Sequence, residues 1–218
     1  MSNSHEKPML FSTEMVESII KGNKTETRRT NGLEEINKNP NDWANIDIQW
    51  GIDKCYISAI NRKSGEILDI KCPYGTIHTK IWIRETWAEL DFLAHDQLGV
   101  VYKASEIGKD WEANDEAWTW KPSIHMPKKY ARIWLKIESI GIDRLKNISK
   151  EDAIAEGIEV LEKDVQYSYK DYLSDEVYYF DPRNSFESLW DSINGEGAWD
   201  FNPWVWVIKF RKEVVNES

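Results

Sequence analysis

The chain has few of the residues that build metal centres and disulfide frameworks. Its 218 residues include two cysteines and four histidines. Cys55 and Cys72 lie in no metal-binding spacing, and the histidines form no i, i+4 pair and have no cysteine partners. We therefore expect free thiols, as in a reducing cytoplasm, and neither a metal ion nor a cofactor.

Long apolar runs and phosphate-binding loops are also missing. The sequence contains no run of about 18 apolar residues, so no membrane span is expected. Its first eight residues lack the apolar core of a secretory signal. No glycine-rich phosphate loop is present, which argues against a Walker-type or dinucleotide-binding fold. These absences favour a cytoplasmic protein.

Charge of one sign dominates the chain as a whole but not every segment. The net charge is −10, which opposes binding to long duplex nucleic acid. Residues 121–150 nevertheless carry eight basic and two acidic side chains, whereas residues 161–200 carry three basic and ten acidic ones. One surface could attract a nucleotide or a short single strand. The alternative is two solvated surfaces of opposite sign.

The most informative stretch that is present runs from residue 22 to residue 29. An amphipathic helix precedes it, with Ser12 or Thr13 as the N-cap. Gly22 is typical of the C′ position, where the left-handed conformation costs glycine little. Lys24 and Thr27 can then converge as a base and a nucleophile, or as phosphate and base contacts. The alternative is a solvated connection between a helix and a strand.

The pattern Gly22-x-Lys24-x-x-Thr27-x-Arg29 resembles the signature of the ASCH domains, a branch of the PUA-like β-barrels. Many members carry Glu where this chain has Thr27. The small bacterial amidohydrolases that remove acetyl from acetylated cytidine carry Thr there. In those enzymes a helix start precedes the catalytic Glu, and Glu156 has the matching offset within residues 145–157. The resemblance therefore implies a catalytic set of Lys24, Thr27 and Glu156.

Further substrate-binding residues are expected around this set. Arg28 and Arg29 adjoin the motif, and two other groups lie at the end of a predicted strand and in a proline-bounded loop. In the phage and prophage ASCH-like proteins that the chain also resembles, this loop is part of the pocket wall. The alternatives are structural: an ion pair between Arg84 and Glu85, a core position for Trp87, and local packing of His125. The two groups are Arg84, Glu85 and Trp87, and Ser123 and His125.

Hydrophobic periodicity predicts short helices alternating with strands. We expect a hairpin from residues 54–59 and 65–71, and strands at 80–85, 130–140 and 203–210. Helices are expected after the N-caps Ser149 and Ser185, with Gly157 ending the first. The polar residues 30–53 indicate a loop with one short helix. The acidic residues 165–181 and the tail after Lys212 are predicted to pack little.

These elements indicate a single α+β domain over residues 1–218. The resemblance implies a PUA-like mixed β-barrel with flanking short helices. Insertions are expected at about residues 30–77 and 91–120, with an acidic segment at about 161–183. Three tryptophans of the second insertion form either a lid or local packing: Trp111, Trp118 and Trp120.

The resemblance implies that a barrel cleft binds a nucleobase, nucleoside or short single-stranded RNA. Hydrolysis of an acyl amide on a modified cytidine is the most specific activity it suggests. Three alternatives stay open. They are a reader of RNA or modified bases without turnover, an ASCH-type ribonuclease and a phage assembly accessory protein.

Overall fold

The computed structural model describes residues 6–51, 54–89, 99–113, 119–163, 166–174 and 178–213. Its strands in chain order are β1 (Glu6–Leu10), β2 (Glu26–Arg29), β3 (Trp43–Trp50), β4 (Cys55–Asn61), β5 (Ile67–Lys71), β6 (Lys80–Arg84), β7 (Trp87–Glu89), β8 (Val100–Tyr102), β9 (Trp134–Arg144), β10 (Val160–Lys163), β11 (Gln166–Lys170), β12 (Tyr178–Tyr179) and β13 (Trp204–Glu213). Its α-helices are α1 (Thr13–Ile20), α2 (Glu34–Asn37), α3 (Glu106–Ala113), α4 (Lys150–Ala155) and α5 (Pro182–Asn194). The predicted α+β class is confirmed.

A five-stranded sheet organises the molecule, with the strand order β1-β6-β9-β13-β2. β1 and β6 are parallel, and the other neighbours are antiparallel. The sheet is open among the described residues, because its two edge strands, β1 and β2, do not pair with each other. A side chain spans the gap between these edges: Arg29 Nη2 donates to the Leu10 carbonyl oxygen at 2.8 Å.

The alternating sides of β13 serve two separate cores. Trp206, Ile208 and Phe210 point into the main core, which β6 and β9 also line. Val205 is fully buried on the opposite side, in a second core. α4 contributes Ala153 to that second core, and α5 contributes Phe186 and Trp190. Such a strand is apolar on both faces, and the run after Pro203 predicted this correctly.

The helix boundaries around the motif follow their capping residues. The Ser12 side chain accepts a hydrogen bond from the Met15 backbone N–H, and Gly22 follows α1 with a φ of +82°. Ser149 caps α4 in the same way, by accepting from the Asp152 N–H at 3.0 Å. Gly157 ends that helix region with a φ of +84°. These predicted caps and the predicted β4–β5 hairpin are confirmed.

Three predictions about element bounds are wrong. β9 runs from Trp134 to Arg144 and not over the predicted residues 130–140. α5 begins at Pro182, because Asp181 caps it by accepting from the Arg183 N–H, and Ser185 is a buried residue inside the helix. The region expected to be a loop contains the predicted short helix, α2, but also the eight-residue strand β3. β3 pairs with β4, and burial of Trp43 against the main core outweighs its polar composition.

The acidic segment packs more than its composition predicts. β10, β11 and β12 form an antiparallel three-stranded sheet, and Tyr169 and Tyr172 pack against the second core. Ser168 and Asp171 are buried as well. The expectation of little packing is therefore wrong for the described part of this segment. Residues 164–165, 175–177 and 214–218 lie outside the described residues, so the expectation for the last of the tail is not addressed.

Other features of the fold bear on the remaining expectations. Cys55 and Cys72 are buried free thiols on facing positions of the β4–β5 hairpin. No helix in the described ranges combines the length and apolarity needed to cross a membrane. The side chain of Trp111 and the whole of Trp118 lie outside the described residues, so the expected lid is not addressed.

Candidate active site

A buried ion pair joins the two halves of the predicted catalytic set. Lys24 Nζ donates to Glu156 Oε2 and to the Glu156 carbonyl oxygen, both at 2.7 Å. The side chains are 0% and 3% exposed. Burial lowers the pKa of Lys24 from its ordinary value, although the Glu156 carboxylate acts in the opposite direction. The predicted convergence of residues 132 positions apart is therefore present in the fold.

The ends of α1 and α4 are packed together at this pair. Ser18 Oγ donates to the Gly157 carbonyl oxygen at 3.2 Å. The Thr25 N–H donates to the Ala155 carbonyl oxygen at 2.8 Å. A Cβ atom at Gly157 would lie 2.7 Å from Lys24 Cβ, which is closer than real contacts allow. Glycine at this position lets the lysine stem approach the end of α4.

A network of opposite charges holds the second oxygen of Glu156. Arg28 Nη1 lies 3.5 Å from Glu156 Oε1 and donates to Glu26, while Nη2 lies 3.3 Å from Asp152 Oδ2. Lys209 Nζ lies 3.0 Å from both Glu26 Oε2 and Asp152 Oδ1. Burial raises the pKa of Glu26, although Arg28 acts against this shift. Arg28 is thus committed to three carboxylates and positions Glu156.

Thr27 and Arg29 lie on the other side of the same strand. The register of β2 against β13 places Thr27 beside Ile208 and Arg29 beside Trp206, on the side of the main core. Arg29 Nε donates to Thr27 Oγ1 at 3.2 Å. The Arg29 guanidinium also lies 5.0 Å from the centre of the Phe11 ring. The Thr27 hydroxyl therefore sits beside a fixed positive charge.

A cleft of about 640 Å³ opens on these residues, between the edge strands β1 and β2 and helix α5. Thr27, Arg28, Arg29 and Glu156 line it, and Lys24 lies behind Glu156. The size suits a small organic ligand. Charged groups and a hydroxyl thus meet on one side of the cavity.

The other walls of the cleft differ in polarity. One α5 face supplies an apolar wall with helical spacing: Phe186, Leu189, Trp190 and Ile193. Neutral polar groups also line the cleft: Ser12, Asn31, Tyr74, Thr86 and Ser123. Burial raises the pKa of Tyr74 to about 12, so its hydroxyl stays protonated and can donate near neutral pH. The cleft can hold an aromatic ring on one side and bind polar groups on the other.

Four of the predicted substrate-binding residues do not line this cleft. Glu85 is fully buried and accepts two hydrogen bonds from Arg132, at 2.9 and 2.8 Å. Trp87 is buried against Tyr130, with ring centres 5.1 Å apart. The remaining two lie at the neighbouring loop: Arg84 donates to the Ile124 carbonyl oxygen, and His125 is exposed. Ser123, Arg28 and Arg29 are the predicted substrate-binding residues that do line the cleft.

Several site residues escaped the sequence analysis. Glu26, Asp152 and Lys209 complete the charge network, and Tyr74 and Trp190 line the cleft. The sequence predicted Asp152 only as part of a helix cap, because it lies three residues after Ser149. Lys209 faces Glu26 only through the β2–β13 register, which nothing local in the sequence specifies.

No protein-family model matches the chain, and neither a curated protein nor a solved structure matches it. In the described part of the chain, no group of three or more His, Cys, Asp or Glu side chains is placed to hold a metal ion. The residues gathered at the cleft are a buried amine, a carboxylate, a hydroxyl and a guanidinium. Together they offer a proton acceptor, a nucleophile and a donor for a developing negative charge.

Proposed function

We propose that the cleft binds a nucleobase or nucleoside with an acylated exocyclic amine, and that the protein hydrolyses that amide. The observation that carries this proposal is the buried Lys24–Glu156 pair at a cleft that Thr27 also lines. Burial also lowers the pKa of Lys24, which makes exchange of a proton with Glu156 easier than it would be for an exposed lysine. The ASCH-like motif supplies the substrate class.

The chemistry assigns one step to each group. Thr27 Oγ attacks the acyl carbon, and its proton passes to the Glu156 carboxylate, which lines the cleft and which Lys24 holds in place. The Arg29 guanidinium, which contacts Thr27 Oγ1, stabilises the negative charge that develops on the acyl oxygen. The C–N bond then breaks, and the leaving amine takes the proton from Glu156. Water hydrolyses the resulting Thr27 ester, which releases the carboxylic acid and restores the hydroxyl.

The same cleft supports the finer proposal of a PUA-like incomplete barrel. Residues of both edge strands line one cavity, and Arg29 of β2 donates to Leu10 of β1 across it. A sheet whose opposite edges approach each other in this way is strongly curled. The cleft would then be the unclosed seam of the barrel.

A reader of modified bases or short RNA, without turnover, is the second candidate. It is favoured by the aromatic wall of Phe186 and Trp190, because stacking on such side chains binds a base without any chemistry. The buried ion pair would then only position the strand that carries Arg29. Both candidates place a nucleoside in the cleft, and they differ in whether acid is released.

The test is hydrolysis of cytidine acetylated on its exocyclic amine, followed by release of acetate and of cytidine. Thr27→Val removes the hydroxyl at nearly constant volume and should lower kcat by about 10²–10⁴. The matched control is Thr25→Val, because Thr25 is exposed and does not line the cleft. A Thr27→Val protein with the wild-type rate would leave an activated water as the nucleophile.

The wild-type protein itself separates the alternatives. Binding of cytidine derivatives without acetate release would favour the reader. Cleavage of single-stranded RNA by metal-free protein would favour the ribonuclease. Failure to bind any nucleoside or RNA would contradict all three and leave the phage accessory protein.

A further inference from the structure

A second cavity of about 360 Å³ adjoins the cleft. The two share Thr30, Trp190 and Asn194 among their lining residues. They are therefore neighbouring parts of one groove that follows the edge of β2 and the end of α5. Thr30 lines both parts, whereas Thr27, Arg28, Arg29 and Glu156 line only the first.

The lining of the second cavity is chemically distinct. Four of its eight lining residues are apolar: Trp190, Ala198, Phe201 and Pro203. Asn37 is also there, but both atoms of its amide are bonded to the backbone of Trp204, at 2.7 and 2.9 Å. Its one charged residue is acidic, Glu34, and that side chain accepts from the Gly32 N–H. Such a surface disfavours phosphate and favours an uncharged apolar group.

The distance between the two parts can be estimated from the chain. Thr27 and Thr30 are three residues apart, which corresponds to about 10 Å in an extended strand. Carbon–carbon bonds of about 1.5 Å advance an extended alkyl chain by about 1.25 Å each, so roughly eight bonds cover that distance. An acetyl group ends one carbon beyond its carbonyl. An acyl group whose carbonyl lies at Thr27 must therefore be about eight carbons long to fill the second cavity.

Polarity also decides which end of the substrate lies there. A ribose carries several hydroxyls, and neutral polar groups line the main cleft, among them Ser12, Asn31 and Thr86. In the second cavity the side chains of Glu34, Asn37 and Asn194 are already bonded to backbone groups. The nucleoside therefore belongs in the main cleft, and the acyl chain runs along β2.

We infer that the preferred substrates are nucleosides with a medium-length aliphatic acyl group on the exocyclic amine, with the acyl chain in the second cavity. This inference rests on the proposed function for its reaction. It names a substrate class that the acetylcytidine-like motif does not.

The experiment compares cytidine octanoylated on its exocyclic amine with the acetylated form. The wild-type protein should hydrolyse the octanoyl substrate with a kcat/KM at least about tenfold higher, since one buried methylene in an apolar pocket already gives a factor of this order. Phe201→Ala should bring the ratio of the two kcat/KM values close to one. Phe201 is 52% exposed, so the fold should tolerate the change. The matched control is Phe180→Ala, a 68% exposed aromatic outside both cavities, which should keep the wild-type ratio.

The outcomes separate this inference from the proposed function. Equal kcat/KM values for the two substrates would overturn the inference while the amide hydrolysis stands. A Phe201→Ala protein that loses the same factor on both substrates would place the base in the second cavity, which also overturns it. If neither substrate is hydrolysed, the proposed function fails. Calorimetric binding of the two compounds then tests whether the second cavity binds the acyl chain. At least tenfold tighter binding of the octanoyl compound, lost in Phe201→Ala, would support the acyl cavity, and equal affinities would refute it.

Discussion

Removing both members of the Lys24–Glu156 pair should cost less stability than the sum of the two single removals. The two side chains are almost completely buried, and Lys24 Nζ lies 2.7 Å from Glu156 Oε2. Glu156→Gln keeps the shape but leaves the ammonium group without its counter-charge. Loss of one partner of a buried pair typically costs about 3–5 kcal/mol. For a chain of this size that corresponds to roughly 6–20 °C in Tm.

The single change Lys24→Met should lower the free energy of unfolding less than Glu156→Gln does. In Lys24→Met the Glu156 carboxylate keeps Arg28, whose Nη1 lies 3.5 Å from Oε1. In the double variant no charge of the pair remains uncompensated, and the cost of desolvating both ions is also removed. The double variant should therefore be more stable than the sum of the two singles predicts. We expect a coupling free energy of about 0.5–3 kcal/mol, the range for residues in contact.

The assay is urea unfolding of the wild type, both single variants and the double variant at pH 7. The matched control is the same cycle on Lys38 and Glu35, an ion pair whose side chains are 65% and 57% exposed. That pair should contribute no more than about 1 kcal/mol. Additive effects of Lys24→Met and Glu156→Gln, within about 0.5 kcal/mol, would show that the two groups do not interact in solution and would refute the reasoning.

Two further predictions concern the same corner of the fold. Burial lowers the pKa of Lys24 below its ordinary value of 10.5, so the unfolded chain binds more protons than the folded chain between these two pKa values. The contribution of Lys24 to the free energy of unfolding should therefore rise with pH across that window. Lys24→Met should flatten the alkaline part of the stability–pH curve, and identical curves for the wild type and this variant would contradict the prediction. Gly157→Ala should destabilise more than Gly22→Ala in urea unfolding, although both glycines have a φ above +80°. A Cβ at Gly22 meets nothing within 4 Å and costs about 1–2 kcal/mol of backbone strain, whereas at Gly157 it would also collide with Lys24, and equal losses would contradict the packing argument.

Local signals account for the parts of the structure that the sequence predicted well. Ser12 and Ser149 are caps because a short hydroxyl side chain can satisfy a free backbone N–H at a helix start. Gly22 and Gly157 end helical segments because they adopt a positive φ. The approach of Glu156 to Lys24 was predicted from the motif resemblance alone. No local rule relates residues so far apart in the chain.

The missed features depend on tertiary packing. β3 is a strand because its partner β4 and the main core bury Trp43, and the asparagine-rich composition of residues 30–53 does not reveal this. Tyr169 and Tyr172 of the acidic segment are partly buried against the second core, which composition cannot show. Asp181 was missed as the cap of α5 because the adjacent Pro182 was not weighed as a first helical residue.

The pleat of β2 divides one run of polar residues into two roles. Arg28 and Arg29 are adjacent in the sequence, but successive side chains of a strand point to opposite sides. Arg28 therefore meets the carboxylates beside α4, while Arg29 meets Thr27 and the edge of β1. The two arginines looked equivalent as substrate-binding residues in the sequence. Their positions give them different contacts instead: Arg28 pairs with Glu156, and Arg29 donates to the Thr27 hydroxyl.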